Sequence, residues 1–194
     1  MSGIRAFIAI ELSTEIRRNL DQISNQLRHS LKGAPVRWVP ADNIHLTLKF
    51  LGNVSQANLD LLKESIRNEV ARHNPFELSV GELDAFPSIH RPRVILVRVQ
   101  APAELSQLQR NLEEQTRRLG YEPEERPFAP HLTLGRVSRN ASNNEVVYLG
   151  QALETSGVGF LGAMQVDRVN LFRSDLQPTG AIYTSLLSAQ LKSG

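Results

Sequence analysis

No cysteine occurs anywhere in the 194 residues. That excludes disulfides and thiolate metal sites, and a reducing cytoplasm is the simplest setting for such a chain. No stretch approaches the ~20 uninterrupted apolar residues needed to span a bilayer, so no membrane partner is expected. The opening MSGIRAFIAIELSTEIRR has a short apolar run that gives way to acids and arginines, which is not the layout of a signal peptide. Neither sign of charge dominates: 22 Lys and Arg against 20 Asp and Glu leave a net charge of +2. Bulk charge therefore does not predict nucleic-acid binding, although a local basic patch still could provide it. Low-complexity tracts and obvious linkers are missing as well. What remains is ordinary for a globular protein, 41% hydrophobic and 22% charged. The length suits one domain, or two small lobes sharing a core.

Hydrophobic periodicity divides the chain into alternating short strands and helices. IRAFIAIEL (4–12) predicts a strand, and Ser13 or Thr14 caps a helix whose Leu20, Ile23, Leu27 and Leu31 recur at helical spacing. An extended piece (36–39) precedes Pro40, and the strand 44–52 follows, alternating polar and apolar residues up to a glycine. A second helix is expected over about 56–72, paired strands over 76–86 and 93–100, and a third helix over about 103–119. A strand at 127–137 then leads into a polar loop, a weakly signalled helix near 144–153, and further strands over 157–176 and 181–191. Many short strands interspersed with helices predict an α+β fold with mostly antiparallel pairing.

With only five histidines, the chain still writes His-Leu-Thr-Leu twice, at 45–48 and 131–134. Each copy follows a proline-punctuated approach, VRWVPADNIHLTL in the first half and ERPFAPHLTL in the second, a weak internal duplication. On a strand, successive side chains alternate faces. His45 therefore shares a face with Thr47, and His131 with Thr133, while the leucines occupy the other. Burying each leucine contributes roughly 1.5–3 kcal/mol, which anchors the strand and presents an imidazole beside a hydroxyl. Two such strands facing each other would offer one neutral ring to accept a proton and one charged ring to donate one. Displacement at a phosphodiester needs both, each worth about 10²–10⁴-fold. Threonine hydroxyls and a nearby arginine can bind the non-bridging oxygens.

Paired His-x-Thr-x motifs, with FIAIEL near the start and HLTLKFLG at 45–52, resemble the two-histidine phosphoesterases, and most closely the RNA 2′,3′-cyclic phosphodiesterases historically called 2′-5′ RNA ligases. The resemblance covers nearly the whole chain. It implies a single two-lobed domain over 1–194, bilobal and pseudo-two-fold, with antiparallel sheets lining a central cleft, helices packed outside, and one motif in each lobe. It implies opening of a 2′,3′-cyclic phosphate at an RNA end to a 2′-phosphomonoester, with no cofactor and no metal. His45 would protonate the leaving 3′-oxygen, His131 would activate water, and Thr47 and Thr133 would hold the phosphate. The partner implied is RNA with a 2′,3′-cyclic end, or a nucleotide, and a monomer is expected. Reverse ligation is a side activity implied by the family's older name.

Two further positions carry a question of parity. Arg136 and Phe50 each stand five residues after a motif histidine, where the family often has a phosphate-binding arginine and where a base-stacking aromatic would fit. On a regular strand an offset of five reverses the face. Gly135 permits a bulge or a strand end that would free Arg136, whereas Lys49 at the matching place leaves Phe50 expected to pack inward with the leucines. Elsewhere the bland expectation stands. Trp38 is expected in the core and His90 in solvent. His29 and His73 lie near helix C-termini, where positive charge is favourable. Arg91, Arg93, Arg117, Arg118, Arg126 and Arg139 are read as mostly solvated. A phosphodiesterase for a small cyclic nucleotide or an ADP-ribose cyclic phosphate carries the same motifs, which grip phosphate and not base. Retention of all four His and Thr positions argues against a non-catalytic RNA- or nucleotide-binding module on the same scaffold, and two histidines without a carboxylate beside them are a poor ligand set for a dinuclear or zinc site.

Overall fold

Among the described residues, nine strands and four helices follow one another in the order that hydrophobic periodicity sets. The computed structural model describes residues 3–178 and 180–192. Strand β1 (Ile4–Ile10) leads to α1 (Thr14–Ser30), β2 (Val36–Trp38), a 3-10 turn (Ala41–Asn43) and β3 (Leu46–Val54). After a second 3-10 turn (Gln56–Asn58) come α2 (Leu59–Val70), β4 (Phe76–Phe86), β5 (Val94–Gln100) and α3 (Ala103–Arg118). The rest is β6 (His131–Val137), α4 (Asn143–Glu154), β7 (Phe160–Val166), β8 (Arg168–Gln177) and β9 (Gly180–Gln190). The expected stretch 157–176 is thus two strands, broken at Asp167. The proline-rich start of the 127–137 run lies outside the strand, because Pro127 and Pro130 have no N–H to give to a ladder.

All strand pairs are antiparallel and form two sheets, the first in the order β3-β1-β8-β9 and the second in the order β2-β6-β5-β4-β7. Chain order and sheet membership disagree: β2 sits in the second sheet between two strands of the first, and β8 and β9 return to the first. One apolar core joins Ile8 and Leu46 of the first sheet to Leu78, Ile95 and Leu132 of the second. The helices cover it with the stripes their spacing dictates: Ile16, Leu20 and Leu27 from α1, Leu62 and Ile66 from α2, Leu105, Leu108 and Leu112 from α3. Among the described residues, no helix is long and apolar enough to cross a membrane.

Regular alternation fails at the same place in both motifs. In β3, Thr47 lies opposite Ala9 and Lys49 opposite Ile8, so Leu48 is an extra residue. In β6, Thr133 lies opposite Leu96 and Gly135 opposite Ile95, so Leu134 is extra. Each is a bulge, in which two residues of one strand face one of its neighbour. Two consecutive residues then point into the core, Leu48 with Lys49 and Leu134 with Gly135, all four of them buried. The two copies fill the second of these inward positions differently. Gly135 fits because a Cβ there would meet Val36 Cγ1 at 2.8 Å and Trp38 Cε3 at 3.2 Å. Trp38, packed against the core as expected, takes the space the glycine leaves.

Lys49 carries a charge into the same kind of position. Its ammonium donates to the Glu113 carboxylate on α3 and to the Glu122 carbonyl, and its side chain is 2% exposed. The Glu113 oxygen it meets also accepts from the Glu124 N–H at 3.0 Å. The pair therefore fastens β3 to α3 and to the start of the loop that leads to β6. Removing one partner leaves an uncompensated buried charge, which costs about 3–5 kcal/mol. Lys49→Met is expected to destabilise the protein by that amount in urea unfolding. Lys49→Met combined with Glu113→Gln should recover more than half of the loss, and an equal or larger loss in the double variant would refute this account.

Candidate active site

Each sheet carries one His-Leu-Thr-Leu copy at the beginning of a strand, His45 just before β3 and His131 as the first residue of β6. Leu46, Leu48, Leu132 and Leu134 are all buried, and Leu132 and Leu134 fully so. His45, Thr47, His131 and Thr133 are half-buried. The anchoring and presenting faces are therefore divided as the alternation requires. Backbone geometry brings the two copies into one region. Trp38 pairs with Gly135, and the Val39 N–H donates to the Leu134 carbonyl at 2.8 Å, so the chain leaves the second motif's strand six residues before it reaches His45. Asn43 Nδ2 donates to the Ala181 carbonyl at 2.8 Å and pins the 3-10 turn that spans the gap. Cα atoms of β3 and β6 come within 8 Å.

The two rings have unlike surroundings. His45 stacks on Phe7 with centroids 4.6 Å apart and planes at 23°, and meets the edge of Tyr183 at 5.1 Å. Phe172 completes the group by stacking on Phe7 at 5.4 Å. Burial among these rings lowers the His45 pKa to about 4, opposed by a hydrogen bond with the Asn43 backbone that favours the charged form. His131 has a Phe86 edge 5.0 Å away, and its Nδ1 is 2.7 Å from the Ala129 carbonyl. A carbonyl can only accept, so Nδ1 carries the proton in that bond and a neutral His131 has its free lone pair on Nε2. Beside His131 opens a groove of about 370 Å³ walled by Phe86, Leu96, Arg98 and Gln100.

The bulges decide the two positions of doubtful parity. Beyond the extra residue, Phe50 lies opposite Phe7 and Arg136 opposite Val94. Both therefore return to the face of the histidine and threonine that precede them. The inward packing expected for Phe50 is incorrect: the ring is 62% exposed, 6.1 Å from Phe7, and Lys49 turns inward in its place. Several neighbours of the site carry no sequence motif. Phe7, Phe172 and Tyr183 lie on strands that read as ordinary core, and only pairing with β3 and with one another brings them to His45. Arg5 and Arg37 likewise reach the cleft by register alone. Burial raises the pKa of the Tyr183 hydroxyl, and the charges of Arg136, Arg37 and Arg5 oppose the rise. Of the other candidates, Arg117 and Arg118 pair with Glu114, His73 with Glu69 on neighbouring turns of the chain, and His90 with Glu154. Among the described residues, no three His, Asp or Glu side chains cluster as metal ligands would.

Comparison with known proteins rests on the same segments. A family model described as LigT like Phosphoesterase matches the chain twice, over residues 10–96 and 97–183. The chain belongs to the LigT-like phosphoesterases. Each half-match contains one His-Leu-Thr-Leu copy, so the weak duplication in the sequence is a property of this family. Among curated LigT-like relatives, the RNA 2′,3′-cyclic phosphodiesterase of Methanothermobacter thermautotrophicus is 34% identical over 94% of this chain and 96% of its own. That of Thermotoga maritima is 29% identical over 98% and 97%. Escherichia coli LigT, solved with 3′-AMP, superposes with a TM-score of 0.76 at 28% identity, covering 98% of this chain and 99% of its own.

The electrostatics of His45 link the LigT-like site to stability. Its folded-state pKa of about 4 lies below the ordinary value of about 6.5. As pH falls below about 6.5 the unfolded chain takes up the proton first. Stability is therefore lost progressively down to about pH 4, and none of this loss applies at neutral pH. The shift corresponds to at most about 3 kcal/mol. Between pH 7 and pH 4.5 the wild type is expected to lose more unfolding free energy than His45→Asn, by 1–3 kcal/mol on the order of that limit. Parallel losses in urea titrations of the two proteins would show that the ring is solvated.

Proposed function

We propose that this protein opens 2′,3′-cyclic phosphates at RNA ends, leaving a 2′-phosphomonoester, by proton transfer between His45 and His131. The observation that carries the reading is the pair of matched strand starts, each offering one half-buried imidazole and one threonine in a region shared by β3 and β6. The activity for which the curated relatives are named supplies the substrate class. His131, with Nδ1 committed to the Ala129 carbonyl, has Nε2 free to take a proton from water. That water's oxygen bonds to phosphorus as the bond to O3′ breaks. His45 delivers a proton to O3′, while Thr47, Thr133 and Arg136 balance charge on the non-bridging oxygens.

The acid role requires a protonated His45, and burial disfavours that form. The incoming phosphodiester is an anion, and its charge beside the ring restores the proton's stability. Proton loading of His45 is then tied to substrate binding. With a 5′-hydroxyl replacing water, the same proton movements would form a 2′-5′ linkage, a side reaction in this reading. Two imidazoles suffice for these transfers, so a resident metal is not part of the mechanism. Both motifs come from one chain and one two-lobed domain, so a monomer is the functional unit, at work in a reducing cytoplasm that the cysteine-free composition suits.

The test is incubation of an oligonucleotide ending in a 2′,3′-cyclic phosphate with the protein in excess EDTA. The expected product is the 2′-phosphate. His45→Ala and His131→Ala should each lower kcat by about 10²–10⁴-fold with thermal unfolding still cooperative. A cyclic end that persists, or a histidine variant that keeps near-normal turnover, would rule the mechanism out.

A further inference from the structure

One face of the cleft is more positive than a single cyclic phosphate requires. Arg37 and Arg136 are direct partners across the β2–β6 ladder, so their side chains leave the same face of the sheet side by side. Like charges placed opposite one another in this way destabilise a sheet. Both are exposed, and among the described residues neither has a carboxylate within 4 Å to neutralise it. Arg5 approaches from the first sheet. It shares a face of β1 with Phe7 and Ala9, is exposed, and is likewise without a carboxylate partner among the described residues. The three come from different strands and different sheets, yet all are felt at one atom group, the Tyr183 hydroxyl. Exposed arginines without a carboxylate within 4 Å occur elsewhere among the described residues, Arg18, Arg28 and Arg67 for example, so what marks these three is their shared neighbourhood beside Tyr183 and the cross-strand pairing of Arg37 with Arg136.

A 2′,3′-cyclic phosphodiester carries one negative charge. Arg136, beside Thr133, is sufficient to balance it. Arg5 stands two residues beyond Phe7, the ring that stacks on His45, and thus about 7 Å further along the strand. That step is comparable to the spacing of successive phosphates in an extended single strand. The exposed Phe50 ring, opposite Phe7, lies between Arg5 and the motif and offers a flat apolar surface for a base. The order along this wall is therefore histidine and threonine, aromatic ring, arginine, which matches phosphate, base, phosphate in a nucleic-acid strand.

Resting on the cyclic-phosphodiesterase reading above, we infer that Arg5 and Arg37 form a second anion site that binds the phosphodiester one nucleotide upstream of the cyclic end. The substrate class this selects is an RNA strand of at least two nucleotides, in preference to a cyclic mononucleotide.

Three probes test the inference: a 2′,3′-cyclic mononucleotide, a dinucleotide with the same cyclic end and a natural internal phosphodiester, and that dinucleotide with an uncharged methylphosphonate at the internal position. For the wild type, kcat/KM is expected to be about tenfold or more higher for the natural dinucleotide than for either other probe, as for the loss of one charge-assisted contact. Arg37→Ala and Arg5→Ala should move the natural-to-methylphosphonate ratio towards one, and Arg37→Lys should restore part of it. Each alanine variant should also lower the slope of log affinity against log salt by about 0.7 for the natural dinucleotide. Both arginines are exposed, so the variants are expected to melt like the wild type. Equal wild-type kcat/KM for the two dinucleotides would overturn the inference, as would a ratio unchanged in both alanine variants. Dissociation constants for the same probes on His131→Ala give the comparison independently of turnover. No hydrolysis of any probe by the wild type would count against the cyclic-phosphodiesterase reading, while the binding ratio would still decide the arginine site.

Discussion

An extra residue in a strand exchanges the faces of everything after it, and both motifs depend on that exchange. Without the bulges at Leu48 and Leu134, alternation would send Phe50 and Arg136 into the core and leave Lys49 and Gly135 in the cleft. With them, histidine, threonine and the residue five places on share one side. The extra inward residue then has to be accommodated. One copy uses a glycine pressed against Trp38, where no side chain fits, and the other a lysine that needs Glu113 as its counter-charge. The same backbone device thus demands a different side-chain solution in each half.

The two halves have also diverged electrically. Around His45 the walls are aromatic, with Phe7, Phe172 and Tyr183 withdrawing the ring from water, so its charged form needs a partner that arrives from outside. His131 instead has a fixed carbonyl acceptor on one nitrogen and an open groove alongside, walled by Phe86, Leu96, Arg98 and Gln100. Two rings in the same sequence context thus stand in unlike surroundings. The difference is created by neighbours and not by the motifs, which are letter-for-letter the same.

Much of this was legible in the sequence, since helical and strand periodicities are local and the repeated His-Leu-Thr-Leu stands out against only five histidines. The α+β class, the helix stripes and the buried leucines all follow from spacing within a few residues. Parity beyond the motif was readable only in part. Gly135 signals an irregularity because glycine tolerates it, but Lys49 gives no such hint. A lysine's burial is decided by an acid 64 positions away, so local alternation alone places Phe50 on the wrong face. Arg5, Arg37, Phe7 and Tyr183 were illegible for the same reason. Their place at the cleft comes from cross-strand register, a property of pairs of distant segments that no window of sequence contains.

Four times the backbone passes from one sheet to the other: between β1 and β2, β2 and β3, β3 and β4, and β7 and β8. The last passage is a single residue, Asp167. At that seam the two sheets cannot part, since the Cα atoms of Val166 and Arg168 are at most about 7 Å from each other. Adjustment of the space between the sheets then falls to the longer passages and to exposed side chains such as Phe50 and Arg136.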